Sequence, residues 1–411
     1  MPAINRRSIE GENLERAGIS SASGRVEKLG GYLCSGNAPC NFVISGGVNG
    51  ESRLGPLRRF LETYAGRYPM VIVHNRDRGL AETVAQLWAQ TGAGKQAPLW
   101  MVDPAHPDFE PFYGMTQPQV LNTLRRLAVK MDYTVTPRFE RVAKAHMAIL
   151  EALNIPVSLS GFAYLCGFED MGQFHKNILT ACGEERGRQI WADLGTGTDD
   201  PNSQFDLFRS VISRLAGEAP HWGWSGDNSV AGFSPASAVR GKACLLLSVD
   251  QNHEELLCSY LASELRSLKG QGFILLLCGI RLRDEDLLDY LCSRPTDCRF
   301  GVVSHNAVDA VGKDAYSRFA EAVDCFLLLK HRTAGTASVL SETIGNYDHI
   351  RVEVSSGTSQ GFLTVLPSDR HSDVRTSTEN RCRVMPEDLI NLQLGQAIVF
   401  DTTTNDIIYF N

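Results

Sequence analysis

The stretch Asn41–Arg59, NFVISGGVNGESRLGPLRR, constrains this chain more than any other. An apolar run (Phe42, Val43, Ile44) enters a turn holding Gly46, Gly47 and Gly50. Beyond Ser52 the pattern becomes helical, with Leu54, Leu57, Phe60 and Tyr64 on one face. Strand, glycine turn and helix in that order is the setting in which backbone N–H groups hold phosphate at a helix N-terminus. The phosphate-loop pattern closes on Gly-Lys-Ser/Thr, with another glycine five residues before that glycine. The aligned positions here are Ser45, Gly50, Glu51 and Ser52. Ser52 keeps the hydroxyl that would ligate Mg2+, whereas a glutamate stands where the phosphate-binding lysine belongs. The candidate loop is thus Gly46, Gly47, Val48, Asn49, Gly50, Glu51 and Ser52, followed by Arg53. Arg53 offers a substitute charge, but one turn of helix is expected to aim it elsewhere. A plain glycine turn that never meets a nucleotide is the alternative reading.

Strand and helix patterns alternate on either side of a helical middle. Pro69–His74 and Pro98–Val102 read as buried strands around a helix at Gly79–Gln90. From 115 to 219 strand signals fade and long amphipathic stretches take over: Gln117–Lys130, Pro137–Leu153, Phe174–Ala192 and Gln204–Leu215. Alternation then resumes with strands at Ala243–Val249, Phe273–Cys278, Phe300–Ser304 and Cys325–Leu329. This pattern predicts an α/β fold with a mostly parallel sheet covered on both faces. The expected division is a flexible lead and first element over 1–40, a core over 41–114 and 220–411, and an all-helical insertion over 115–219. The end of the core is a Ser/Thr-rich extension.

Totals narrow the function. A net charge of -7 argues against a uniformly basic nucleic-acid binder while leaving room for a local basic groove. Eleven cysteines without CxxC pairing fit buried thiols in a reducing compartment better than disulfides or zinc. No run reaches the roughly 18 apolar residues of a membrane helix, so a cytoplasmic protein is expected.

The order of these pieces resembles a family. Glycine loop, helical insertion and two apolar strands lead to Thr336-Ala337-Ser338 and Ser341–Tyr347, and the chain closes with MPEDLINLQLGQAIVF. The arrangement is similar to the conjugative type IV secretion coupling proteins (TraG/TraD-like) of the FtsK/HerA class of P-loop motors. The similarity runs from about Phe42 to the C-terminus. The resemblance implies a RecA-like P-loop NTPase core, ATP and Mg2+ as cofactors, DNA translocation and a hexameric ring. It implies as partners other subunits of a homo- or hetero-hexamer, secretion-system or relaxosome proteins, and DNA.

The departures from that family bear on activity. Its members usually carry N-terminal membrane helices, which this chain lacks. Its acidic Walker B pair follows an apolar strand; here that strand ends in Cys278 and Gly279. A polar sensor position after the next strand corresponds to His305 or Asn306. A cation about 4 Å from a phosphate charge is worth roughly 4 kcal/mol at an effective dielectric near 20. Glutamate at that place turns the attraction into a repulsion of similar size, and loss of the acidic pair removes the metal-holding groups of phosphoryl transfer. The expectation is a pseudo-ATPase, with ATP and Mg2+ bound weakly or not at all, serving as scaffold or regulator. The alternatives are an active DNA-translocating ATPase with non-standard loop residues, and a protein-binding module without nucleotide. Acids at Asp284, Glu285, Asp286 and Asp289 read as the solvated first turn of a helix, and Arg281, Arg283, Arg294 and Arg299 as surface arginines.

Overall fold

A computed structural model describes residues 6–9, 30–34, 38–47, 50–90, 97–195, 204–226, 232–268, 270–357 and 371–410. Val48, Asn49 and the Glu51 side chain lie outside the described parts. The chain forms two compact units, Met1–Lys330 with Gln393–Asn411, and His331–Leu392.

In the first unit the strands are β1 (Arg6–Ile9), β2 (Phe42–Ser45), β3 (Met70–Asn75), β4 (Leu99–Val102), β5 (Cys244–Val249), β6 (Phe273–Cys278), β7 (Cys298–Ser304) and β8 (Cys325–Leu328). The second unit contributes β9 (Asn346–Gly357) and β10 (His371–Cys382), and the chain returns to the first with β11 (Ala397–Asp401) and β12 (Asp406–Phe410). Ten strands form one sheet in the order β1-β12-β11-β8-β2-β7-β6-β3-β5-β4. Every pairing from β8 to β4 is parallel. All four residues of β2 and all six of β6 are buried, as a sheet covered on both faces requires. β11 is antiparallel to both β8 and β12. Residues expected as a C-terminal extension therefore complete the sheet, and Arg6–Ile9, expected within a flexible lead, pairs in parallel with β12.

The Gly50–Tyr64 helix buries Leu57, Phe60, Leu61 and Tyr64 against the sheet. The Phe60 ring lies 4.7 Å from that of Phe42 and 4.9 Å from that of Tyr64. These tilted aromatic contacts tie the helix to the strand that precedes it and set the direction in which its N-terminus points.

Six helices fill the middle of the chain: Gln117–Lys130, Pro137–Ala152, Leu159–Cys166, Met171–Cys182, Glu184–Leu194 and Gln204–Glu218. The single amphipathic stretch expected over Phe174–Ala192 is broken at Gly183, whose φ of 80° no α-helix accommodates. These helices fall in the same compact unit as the sheet, and polar bonds join them to the helices and loops around it. Ser263 donates to Thr123 at 2.9 Å and Gln119 to the Ser267 carbonyl at 3.0 Å. Arg126 pairs with Asp286 at 3.0 Å. Buried Glu110 accepts from the Ser160 N–H at 2.9 Å and its hydroxyl at 2.6 Å.

In the second unit the Ala334–Ile344 helix, the antiparallel β9–β10 pair and the Pro386–Asn391 helix pack together, and the Ser341 hydroxyl donates to the Val384 carbonyl at 2.5 Å. No helix among the described residues is long and apolar enough to cross a membrane.

Candidate functional site, a cationic cleft at the carboxyl edge of the sheet

Parallel strands end together, and ligands of open α/β sheets bind in the crevice beyond those carboxyl ends. The register sets Ser45 of β2 beside Ser304 of β7 and Leu328 of β8, and Cys278 of β6 beside His74 of β3 and Val303 of β7. Just past these ends opens a cleft of about 710 Å³, bordered by Gly50, Arg53, Asn75, Asp77, Cys278, Gly279, Arg281, Arg283, His305, Asn306, Asp309 and Lys313. The predicted loop, strand-end and sensor positions thus meet in one place.

The glycine turn is held by the sheet. Gly46 donates its N–H to the Ser304 carbonyl at 3.1 Å and Gly47 to the Lys330 carbonyl at 2.9 Å. Gly46 has φ 98°, and a Cβ there would sit 2.6 Å from the Leu329 carbonyl oxygen, so only glycine fits. Those two N–H groups are consequently spent on neighbouring strands. The first turn of the helix that starts at Gly50 carries N–H groups that lack acceptors within the helix. Ser52 is buried in that turn.

Arg53 corrects the expectation that it points away. Its guanidinium folds back and donates to the Gly46 carbonyl at 3.0 Å, and its Nη1 is the third-nearest neighbour of a Cβ built on Gly47. Burial lowers its pKa, opposed by the Asp77 charge. A guanidinium nonetheless stays charged in proteins, so a fixed cation lies beside the turn.

At the end of β6, Cys278 is buried, and burial drives its thiol well above the usual range, with the Asp77 charge acting in the same direction. Burial thus favours the neutral thiol over the thiolate. Gly279, at φ 70°, donates its N–H to the Val303 carbonyl at 2.8 Å and brings no side chain. After β7, the Asn306 side chain is committed to its own helix, Ala307–Val311. Its Oδ1 accepts from the Asp309 N–H at 3.3 Å and its Nδ2 donates to the Asp309 carboxylate at 2.5 Å. The Ala307 N–H donates to the Ser45 hydroxyl at 3.0 Å, tying that helix to β2. His305 is exposed on the cleft wall.

At a phosphate site Mg2+ is held by one or two carboxylates together with waters and the phosphate oxygens, and here the carboxylates are already engaged in helix starts. The only carboxylates described on the cleft are Asp77 and Asp309. Asp309 is engaged by Asn306, and Asp77 accepts the Leu80 N–H at 3.0 Å to start the next helix. Among the described residues no group of three acids, histidines or cysteines is placed to hold a metal. A polyphosphate suits the walls better, since Arg53, Arg281, Arg283 and Lys313 converge there.

Sequence reasoning left Arg281 and Arg283 on the surface and did not single out Asp77 or Lys313. The available signal was position: Arg281 and Arg283 follow the end of β6 by three and five residues, which puts them at the strand edge. Asp284 is not a solvated acid. It is 1% exposed, caps its helix by accepting from the Leu287 N–H at 2.9 Å, and also accepts from the Ser259 hydroxyl at 2.5 Å.

Neither a protein-family model nor a curated protein matches the chain. Solved structures do match it. The bacterial conjugative coupling protein TrwBdeltaN70, in an unbound form, gives a TM-score of 0.55 at 15% identity over 98% of this chain and 91% of that one. The plasmid coupling protein TrwB gives 0.54 at 15% in complex with ADP and Mg2+, and 0.53 at 15% with the non-hydrolysable ATP analogue ADPNP. Each covers 98% of this chain and 92% of that one. The fold is the α/β P-loop fold of these coupling proteins, with its mostly parallel sheet.

Proposed function

We propose that this chain is a degenerate, ATPase-inactive coupling-protein-like P-loop protein, a cytoplasmic scaffold or regulator in conjugative DNA transfer or type IV secretion. In this reading the cleft binds a nucleotide weakly and does not turn it over, and Gly50–Arg53 form the phosphate-facing turn. The partners in this reading are other subunits of a homo- or hetero-hexameric ring and secretion-system or relaxosome proteins, with DNA a further candidate. The TrwB likeness and the order of sequence motifs support the setting. The observation that carries the inactive reading is the end of β6, where buried Cys278 and side-chain-free Gly279 stand in place of metal-holding acids.

Arg53 favours a second reading, an active DNA-translocating ATPase in which a guanidinium replaces the lysine. Hydrolysis of Mg-ATP with and without DNA separates the two. No turnover above background is expected, and binding that strengthens in Glu51→Lys. Turnover that disappears in Ser52→Ala would overturn the inactive reading in favour of the motor.

A further inference from the structure

We infer that the cleft takes the polyphosphate of a nucleotide as the metal-free anion, with Arg53, Arg281, Arg283 and Lys313 supplying the positive charge that Mg2+ would otherwise bring. The inference rests on the reading of the cleft as a nucleotide site, and it concerns the form in which the ligand binds.

Four cationic side chains against the carboxylates Asp77 and Asp309 leave an excess of two positive charges on the described walls. Both carboxylates are tied up in helix starts. A divalent cation entering this cleft meets four cations against two carboxylates that already accept hydrogen bonds. Arg283 and Lys313 are exposed on the cleft wall, with Arg283 in electrostatic reach of the Glu254 carboxylate. Arg281 faces the Glu254 carboxylate at 4.0 Å and also donates to the Gln251 side-chain carbonyl at 2.7 Å. Cations gathered around a concave site focus attraction on an anion, and guanidinium groups match phosphate oxygens two at a time.

The consequence is a reversal of sign. In a P-loop site built for metal, Mg2+ assists binding through protein carboxylates and the loop hydroxyl. Here Mg2+ neutralises the phosphate charge on which the arginines act while finding no carboxylate of its own, so it weakens binding.

Calorimetric titration of the full chain with ATP and with inorganic tripolyphosphate, each in EDTA and in excess Mg2+, tests this. Both ligands are expected to bind in EDTA, severalfold more weakly in Mg2+, and more weakly as salt is raised. Arg53→Ala is expected to lose tenfold or more in affinity. The Arg283→Ala/Lys313→Ala double variant changes only exposed side chains and is expected to lose a similar amount with an unchanged melting temperature. Binding of ATP that requires Mg2+ would overturn the metal-free inference and leave the nucleotide site standing. ATP binding without tripolyphosphate binding would also overturn it, by placing recognition on the nucleoside. Failure of both ligands in every condition would remove the nucleotide site itself.

Discussion

A methyl group at position 301 would lie 2.3 Å from Cζ of Phe42 and 2.8 Å from a Leu276 methyl. Gly301 sits at the centre of β7, between the strand that feeds the glycine turn and the strand that ends at Cys278. The Phe42 ring crosses over it to reach Phe60, so the entry to the loop depends on the absence of a side chain one strand away. Gly301→Ala is expected to cost about 1–3 kcal/mol, the usual penalty of overpacking a filled core. Urea unfolding would measure it, and an unchanged midpoint would mean that the Phe42 ring has room to turn. Sequence reading identified the loop but not this support, because a glycine inside an apolar strand carries no local mark of the ring that covers it.

Helix by helix, the legible features were those written in local periodicity. The parallel core strands and their covering helices follow from runs of apolar residues at spacings of two or about four. Pairings between distant segments were not legible: the strand at Arg6–Ile9, the return of β11 and β12 to the sheet, and the turning of Arg53 toward the loop. Asp284 shows how burial redirects a reading. By position it is an acid in a helix start, hence solvated; by structure it is the post on which three elements meet. It caps Glu285–Cys292, accepts from Ser259 of the Glu254–Leu265 helix, and pairs with Lys130 of Gln117–Lys130 at 3.2 Å. Asp284→Ala removes a helix cap worth about 1 kcal/mol and strands a buried hydroxyl for about 1–3 more. A loss of about 2–4 kcal/mol in denaturant unfolding is therefore expected, with Asp284→Asn retaining part of it. A variant of full stability that had lost ligand binding instead would give Asp284 a role in binding rather than in the fold.

For the molecule as a whole, buried ionisable groups set how stability responds to acid. His74, its Nδ1 accepting the Asp77 N–H at 3.0 Å, and His146 are both buried, and burial lowers each pKa to about 4. A depressed imidazole contributes stability that is present above its unfolded pKa near 6.5 and is lost as pH falls through 4. Glu264 acts in the opposite sense. It is fully buried, accepts the Ala236 N–H at 2.7 Å, and burial raises its carboxyl to about 7. Its contribution is present below its unfolded pKa and is lost as pH rises through 7. Between the unfolded carboxyl value and neutrality the carboxyl therefore offsets part of the histidines' effect. Glu264→Gln keeps an acceptor for Ala236 while removing the titration, so the stability of the variant relative to the native chain should grow by about 3 kcal/mol from pH 4.5 to pH 7. Urea unfolding at pH 4.5, 5.5 and 7 makes the comparison. Parallel curves for the two proteins would mean that Glu264 ionises in the fold as it does in water, and that the helix start at Ala236 admits solvent to it.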